Sequence, residues 1–254
     1  MTAVRQKNAL QVALVTGSGS PIGRAIVLAL AADGWDVVVH DEGDGADPGT
    51  LMMAVRALGR RAVALPAALD NPAALAGLIG NAIDALGPIG CLVNAATLCE
   101  FDDARSFSDG LLARHMRHNL TAPLVLAHAL HAATPPGRQA VVINLLDRKL
   151  YHPTPDFLSY TLSKSALQTA TTLLAQALAP TVRVVGVAIG IGLILESQHR
   201  LALVAAQDPP VTVDDIAATV RYLARATSQT GHTLLVDGGL HLKPSPHDPT
   251  RPAT

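Results

Sequence analysis

Seven short apolar runs, at residues 12–16, 37–40, 62–65, 91–94, 141–145, 182–188 and 234–236, punctuate the whole chain and are separated by longer stretches with helical spacing. Each run is apolar on both of its faces, which suits a strand covered by helices above and below rather than one facing water. Strands alternating with helices in this way predict an α/β, Rossmann-like, doubly wound parallel sheet of seven strands.

The intervening stretches, 22–33, 49–58, 72–86, 111–130 and 158–179, read as helices, and Thr212 with Asp215 forms a capping-box-like start to another that runs through Arg225. No Pro/Gly/Ser-rich linker divides them and no repeat is visible. The 254 residues therefore read as one domain over 10–242, with an N-terminal extension at 1–9 and a flexible C-terminal tail at 243–254 that carries four prolines.

Composition excludes several function classes. A chain that is 49% hydrophobic and 15% charged has too much apolar side chain to stay disordered. Its 19 basic and 20 acidic side chains leave a net charge of −1, so no broad basic face is available to nucleic acid. The most apolar run, 184–195, contains three glycines and is too short to span a bilayer, which points away from a membrane partner. Two cysteines, Cys91 and Cys99, cannot build a disulfide framework, so the expected setting is reducing and cytoplasmic.

The first strand runs into Thr16-Gly17-Ser18-Gly19-Ser20-Pro21-Ile22-Gly23 and then a helix. Backbone N–H groups of such a turn, together with the helix dipole, can hold a pyrophosphate without a cationic side chain. Gly17 and Gly23 fall where a tight turn and close helix packing exclude a Cβ, and Ser18, Ser20, Pro21 and Ile22 line the same turn. The second strand ends at Asp41, 24 residues after Gly17, near the spacing at which a carboxylate accepts ribose hydroxyls. Glu42 and Asp44 add further negative charge, which would repel a 2′-phosphate.

Tyr160 and Lys164 stand four apart and so share one helix face, a pairing that chance would supply about 0.05 times in this composition. Residues 157–195 contain no Asp or Glu, so Lys164 needs water, a ligand or a distant partner. A nearby ammonium is expected to lower the Tyr160 phenol toward the working pH of a general acid or base. Asp147, at the end of the fifth strand, can approach that phenol across the edge of the sheet where ligands bind.

Thr16-Gly17…Gly23, Asn94-Ala95-Ala96, Asn119, Tyr160-x-x-x-Lys164 and Val236-Asp-Gly-Gly239, in that order, resemble the short-chain dehydrogenase/reductase family over about residues 10–242. The resemblance implies hydride exchange between nicotinamide and a small-molecule substrate, with a homotetramer as the usual assembly. It makes Tyr160 the proton donor or acceptor, gives Lys164 the nicotinamide ribose, and has Asn119 support a proton-relay water. Asn94, Ala95, Ala96 and Gly190 fall at cofactor-contacting places, and Thr97 and Cys99 at the substrate pocket.

Most of the family has Ser where this chain has Asp147. An Asp 13 residues before the Tyr is similar to pteridine reductases and dihydromonapterin reductases, and a carboxylate suits a nitrogen-rich ring because it accepts ring N–H bonds. The chain also departs from that branch. Pro21 replaces an arginine, Ala68 an adenine-facing Asp, Ile189 a proline and Cys99 a ring-stacking Phe.

The expectation is thus a nicotinamide-dependent oxidoreductase acting on a pterin-like or small carbonyl substrate, with NAD(H) favoured over NADP(H) by the acids at Asp41, Glu42 and Asp44. A carbonyl dehydrogenase of another substrate class, and a dinucleotide-binding protein with little catalysis, are the alternatives. Ten scattered histidines give no metal cluster, and His115 and His118 read as residues of a solvated helix face. Trp35, at a helix-to-strand turn, reads as packing, and Cys99 as a small pocket residue rather than a nucleophile.

Overall fold

The computed structural model describes residues 10–42, 47–190 and 211–242. Its seven strands are β1 (Val12–Val15), β2 (Asp36–Asp41), β3 (Ala62–Pro66), β4 (Cys91–Asn94), β5 (Ala140–Asp147), β6 (Val182–Ile189) and β7 (Thr233–Val236). All pair in parallel, in the order β3-β2-β1-β4-β5-β6-β7. This is the doubly wound sheet read from the sequence, and it forms a single Rossmann-like domain.

The strands are buried on both faces because their alternate side chains feed two separate cores. Ala13, Val15, Val37, Val39 and Ile143 point to one layer, and Leu14, Val38, Leu92 and Val142 to the other. The first layer is closed by α1 (Pro21–Ala32), α2 (Pro48–Ala57) and α7 (Val213–Arg225), through Ile26, Leu30, Val55, Ile216 and Val220. The second is closed by α3 (Pro72–Leu86), α5 (Ala122–Ala133) and α6 (Leu158–Leu178), through Leu78, Ile79, Leu126 and Ala175. Trp35 packs in the first core, 6% exposed.

Local chemistry sets most helix starts. Ser20, Asp47 and Asn71 cap α1, α2 and α3, and each is followed by a proline at the first helical position. Thr212 and Asp215 form the expected capping box on α7. The helix expected over 111–130 is instead divided. α4 (Asp109–Met116) passes through a π-helical turn, Arg117–Thr121, before α5 begins. Such a turn inserts one residue into the helical ladder, and here it rotates Asn119 into the interior.

The order of the strands brings the C-terminal ends of β1 and β4 side by side, with β5 next to them. Connections leave that junction in opposite directions, which opens a crevice at the carboxyl edge of the sheet. Among the described residues, no helix is long and apolar enough to cross a membrane.

Candidate active site

The turn after β1 is held by side chains that face inward. Thr16 Oγ1 accepts the N–H groups of Ala95 (3.0 Å) and Ala96 (3.1 Å), tying the ends of β1 and β4 together. Ser18, fully buried, donates to the Val15 carbonyl at 2.6 Å and accepts the His40 N–H at 3.1 Å, so its hydroxyl braces β2. Ser20 accepts the Gly23 N–H and donates to the Gly17 carbonyl. Gly17 has φ +64°, and a Cβ there would lie 2.7 Å from Ala96 Cα. A Cβ on Gly23 would meet the Gly17 carbonyl oxygen at 2.1 Å.

The hydroxyls of Ser18 and Ser20 therefore shape the turn. Among the described residues, the backbone N–H groups of Gly19 and Ile22 take no part in any hydrogen bond of the turn, at the positive end of α1. Pro21 is exposed and starts the helix. The turn fits a pyrophosphate through its backbone.

Asp41 closes β2 in register with Pro66. Glu42 next to it folds back: its carboxylate accepts the Leu69 N–H at 2.8 Å and pairs with His118 Nε2 at 2.7 Å. Burial raises the Glu42 carboxyl, but the bonds from His118 and Leu69 outweigh it and hold the group below its ordinary value. Asp44 lies outside the described residues, as do residues 1–9, 191–210 and 243–254. Gly190 is buried and follows β6 directly.

At the other end of the crevice, β5 and α6 meet. Tyr160, with no exposed surface, donates its hydroxyl to Asp147 Oδ2 at 2.7 Å. Asp147 Oδ1 accepts the Lys149 N–H at 2.6 Å. Lys164, 1% exposed, donates to the Leu145 carbonyl at 2.9 Å and to Thr97 Oγ1 at 3.0 Å. These are the distant partners that its own helix lacks, and they leave its Nζ 6.0 Å from the centre of the Tyr160 ring.

The electrostatics correct one expectation. Burial drives the Tyr160 phenol well above its ordinary value, and the Asp147 carboxylate pushes it the same way. An ammonium alone would lower it, but here the phenol is dehydrated and already donating to a carboxylate. Burial likewise raises Asp147, and lowers Lys164 to about 8 despite attraction to Asp147. Burial pushes the Cys99 thiol up to about 12, with a further contribution from Asp147, which suits a pocket wall and not a nucleophile.

Asn119 is buried in the π turn. Its amide donates to the Leu98 carbonyl at 2.8 Å and to Ser163 Oγ at 3.0 Å, and its oxygen accepts the Leu98 N–H at 2.9 Å. It thus staples the segment after β4 to α6. Asn94 points sideways within the sheet, donating to Asn144 Oδ1 at 2.8 Å. His115 departs from the solvated face expected for it: it is fully buried, with Nδ1 on the Leu111 carbonyl and Nε2 accepting the Glu100 N–H. The segment after β4 folds over that side of α4, a contact that helical periodicity does not reveal.

The fold is a Rossmann-like α/β sheet with a crevice at its carboxyl edge, where Tyr160 and Lys164 stand together. Residues 11–196 match the family model described as short chain dehydrogenase, and the chain belongs to the short-chain dehydrogenase/reductase family, whose members are oxidoreductases. It is 30% identical to the short-chain dehydrogenase/reductase eriH of Hericium erinaceus, over 90% of this chain and 96% of that one. Among solved structures, it resembles FolM alternative dihydrofolate reductase 1 from Brucella canis complexed with NADP, with a TM-score of 0.85 and 33% identity over 94% of this chain and 98% of that one. A blue fluorescent protein from a metagenomic library, in complex with NADPH, gives a TM-score of 0.80 and 31% identity over 90% and 97% of the two chains.

Proposed function

We propose that the protein is an NADP(H)-dependent reductase of a pterin-like heterocycle, with Tyr160 and Asp147 acting together on the ring. The observation that carries this reading is the 2.7 Å bond from the Tyr160 hydroxyl to Asp147 Oδ2, both groups being buried. A serine in place of Asp147 could orient a carbonyl oxygen. A carboxylate can also accept ring or exocyclic N–H groups.

When bound, the nicotinamide supplies the hydride. The chain's own residues handle the proton. Tyr160 holds it on the phenolic oxygen, where burial keeps it through the neutral range, and passes it to the ring atom made basic by reduction. Asp147 orients that ring, and a proton from water restores Tyr160 once the product has left with the first one. Lys164, anchored by Leu145 and Thr97, keeps one N–H beyond those two bonds and offsets the negative charge that gathers on the Tyr160–Asp147 pair. Asn119 fixes the wall segment at Leu98.

The cofactor choice reverses the expectation of NAD(H). Two observations favour the 2′-phosphate. Glu42, one of the three acids expected to repel it, is held by Leu69 and His118. Arg24 lines a cavity of about 190 Å³ together with Gly19, Val39 and Thr50. The Asp47 carboxylate in the same wall is occupied in capping α2, through the N–H groups of Gly49 and Thr50. The NADP and NADPH complexes of the solved relatives support the same choice. For assembly, the reading is a homotetramer, supported by the exposed Leu162 and Leu173 on α6.

The reading is tested by titrating NADPH and NADH and then assaying dihydropterins and ketones. Turnover of a dihydropterin with NADPH is expected, and tight binding with no turnover would favour a binding protein.

A further inference from the structure

Helix α6 carries Tyr160 and Lys164, yet it begins without a side-chain cap of its own. Its N-cap residue, Phe157, stands at φ 56° and ψ 49°, in the left-handed region, and offers no side-chain acceptor. A bulky residue adopts that conformation only where surrounding structure imposes it. The acceptors come instead from Asp102, 57 positions before Ser159. Asp102 Oδ1 accepts the Ser159 N–H at 2.9 Å, Oδ2 accepts the Ser159 hydroxyl, and its carbonyl accepts the Leu158 N–H at 3.2 Å. Asp102 is 1% exposed and Ser159 fully buried, so the carboxylate is dedicated to this helix start.

Two further contacts converge on the same turn. The Phe101 ring meets Phe157 edge-on, with centroids 5.3 Å apart and planes at 83°. Lys149 stands 5.2 Å above the Phe157 ring and pairs with Asp156 at 3.0 Å. The N–H of that same Lys149 is the donor to Asp147 Oδ1. The strap from Asp147 to Phe157 and the start of α6 are thereby fastened at both ends.

We propose that Asp102 is a positioning residue for the reaction: by capping α6 at Ser159, one residue before Tyr160, it fixes the Tyr160 hydroxyl on Asp147. This rests on the reading of Tyr160 and Asp147 as the proton-handling pair. Asp102 touches neither of them and acts through Ser159. Without the cap, the first turn of α6 gains freedom where Tyr160 must be held to a fraction of an ångström, and a misplacement of about 1 Å can cost about a hundredfold in rate.

The test compares Asp102→Ala and Asp102→Asn with the wild type and Tyr160→Phe. Asn keeps both links, because its oxygen accepts the Ser159 N–H and its amide can donate to the hydroxyl, which accepts as readily as it donates. The first readout needs no substrate. Phenolate absorbance is followed as pH is raised, with Tyr160→Phe identifying the share that belongs to Tyr160. That share is expected to appear at lower pH in Asp102→Ala and to return to its wild-type position in Asp102→Asn. The second readout is NADPH oxidation with 7,8-dihydrofolate. Asp102→Ala is expected to lose at least tenfold in kcat per folded molecule, with KM for NADPH within twofold and a larger solvent isotope effect, and Asp102→Asn to recover. An unmoved Tyr160 phenolate in folded Asp102→Ala overturns the proposal. Wild-type turnover in Tyr160→Phe would instead overturn the reading of the pair, so the two failures are distinguishable.

Discussion

Lys164 Nζ donates to the backbone carbonyl of Leu145 at 2.9 Å, which fastens α6 to β5 two residues before Asp147. The ammonium is thus part of the framework that carries Tyr160. Its burial lowers it to about 8 from an ordinary value of 10.5, so the folded protein releases this proton before the unfolded chain does. Between those two values the unfolded state binds more protons, and the contribution of Lys164 to stability rises with pH. The penalty for burying the charge is complete below about 8. Cys91 and Cys99, both raised from 9.0 to about 12, act in the opposite direction above pH 9. The clean window is therefore pH 8 to 9. Denaturant unfolding of the cofactor-free enzyme should show the stability of wild type relative to Lys164→Met rising by about 1 kcal/mol across it. A difference that stays flat or falls contradicts the assignment.

The phosphate turn makes a steric prediction. A Cβ at position 23 would sit 2.1 Å from the Gly17 carbonyl oxygen, which belongs to backbone that cannot step aside. Gly23→Ala should lose about 3 kcal/mol or more of stability. Any folded fraction should bind NADPH weakly. Thermal unfolding combined with NADPH fluorescence titration checks both effects.

Cofactor discrimination should reside in Arg24. Replacing it with Ala removes a cation from the cavity beside Gly19 and should raise KM for NADPH about tenfold while changing KM for NADH less than twofold. Equal changes for both cofactors would remove Arg24 from the 2′-phosphate site.

Asp147→Ser tests what the carboxylate adds beyond the family's usual hydroxyl. It should lower kcat/KM for a dihydropterin by about a hundredfold, since two N–H acceptors and a charged hydrogen-bond partner of Tyr160 are lost. Reduction of simple ketones should be affected less. A uniform loss across both substrate classes would reduce Asp147 to a structural partner of Lys149 and Tyr160.

Much of the fold was legible because both signals it depends on are local. Strands 91–94 and β1 to β7 generally announce themselves by apolar runs, and Thr212 with Asp215 writes its capping box within four residues. The π turn at Arg117–Thr121 escaped because apolar residues continue on either side of it, and Pro123, in the first turn of α5, marks a helix start but not the extra residue ahead of it. For the candidate site, the residues that cluster were easier to pick out than their arrangement. Asn119, Asp147, Tyr160 and Lys164 were all singled out, but the direction of the Tyr160 shift depends on burial and on a bond from another element. Asp102 and the burial of His115 share one cause. The segment after β4 folds back over α4 and α6, and contacts 57 and 15 residues apart leave no periodic trace. An acid followed by another acid, Asp102-Asp103, resembles a solvated loop.

Tyr160, held on Asp147, is proposed to deliver a proton to a nitrogen-rich ring reduced at the expense of NADPH. The most direct measurement is the rate of NADPH oxidation by purified wild type and Tyr160→Phe with 7,8-dihydrofolate, 7,8-dihydrobiopterin and a set of small ketones. Turnover of at least one dihydropterin in preference to every ketone is expected, with a loss of about a hundredfold to ten-thousandfold in Tyr160→Phe. Turnover of ketones alone, or wild-type rates in Tyr160→Phe, would contradict it.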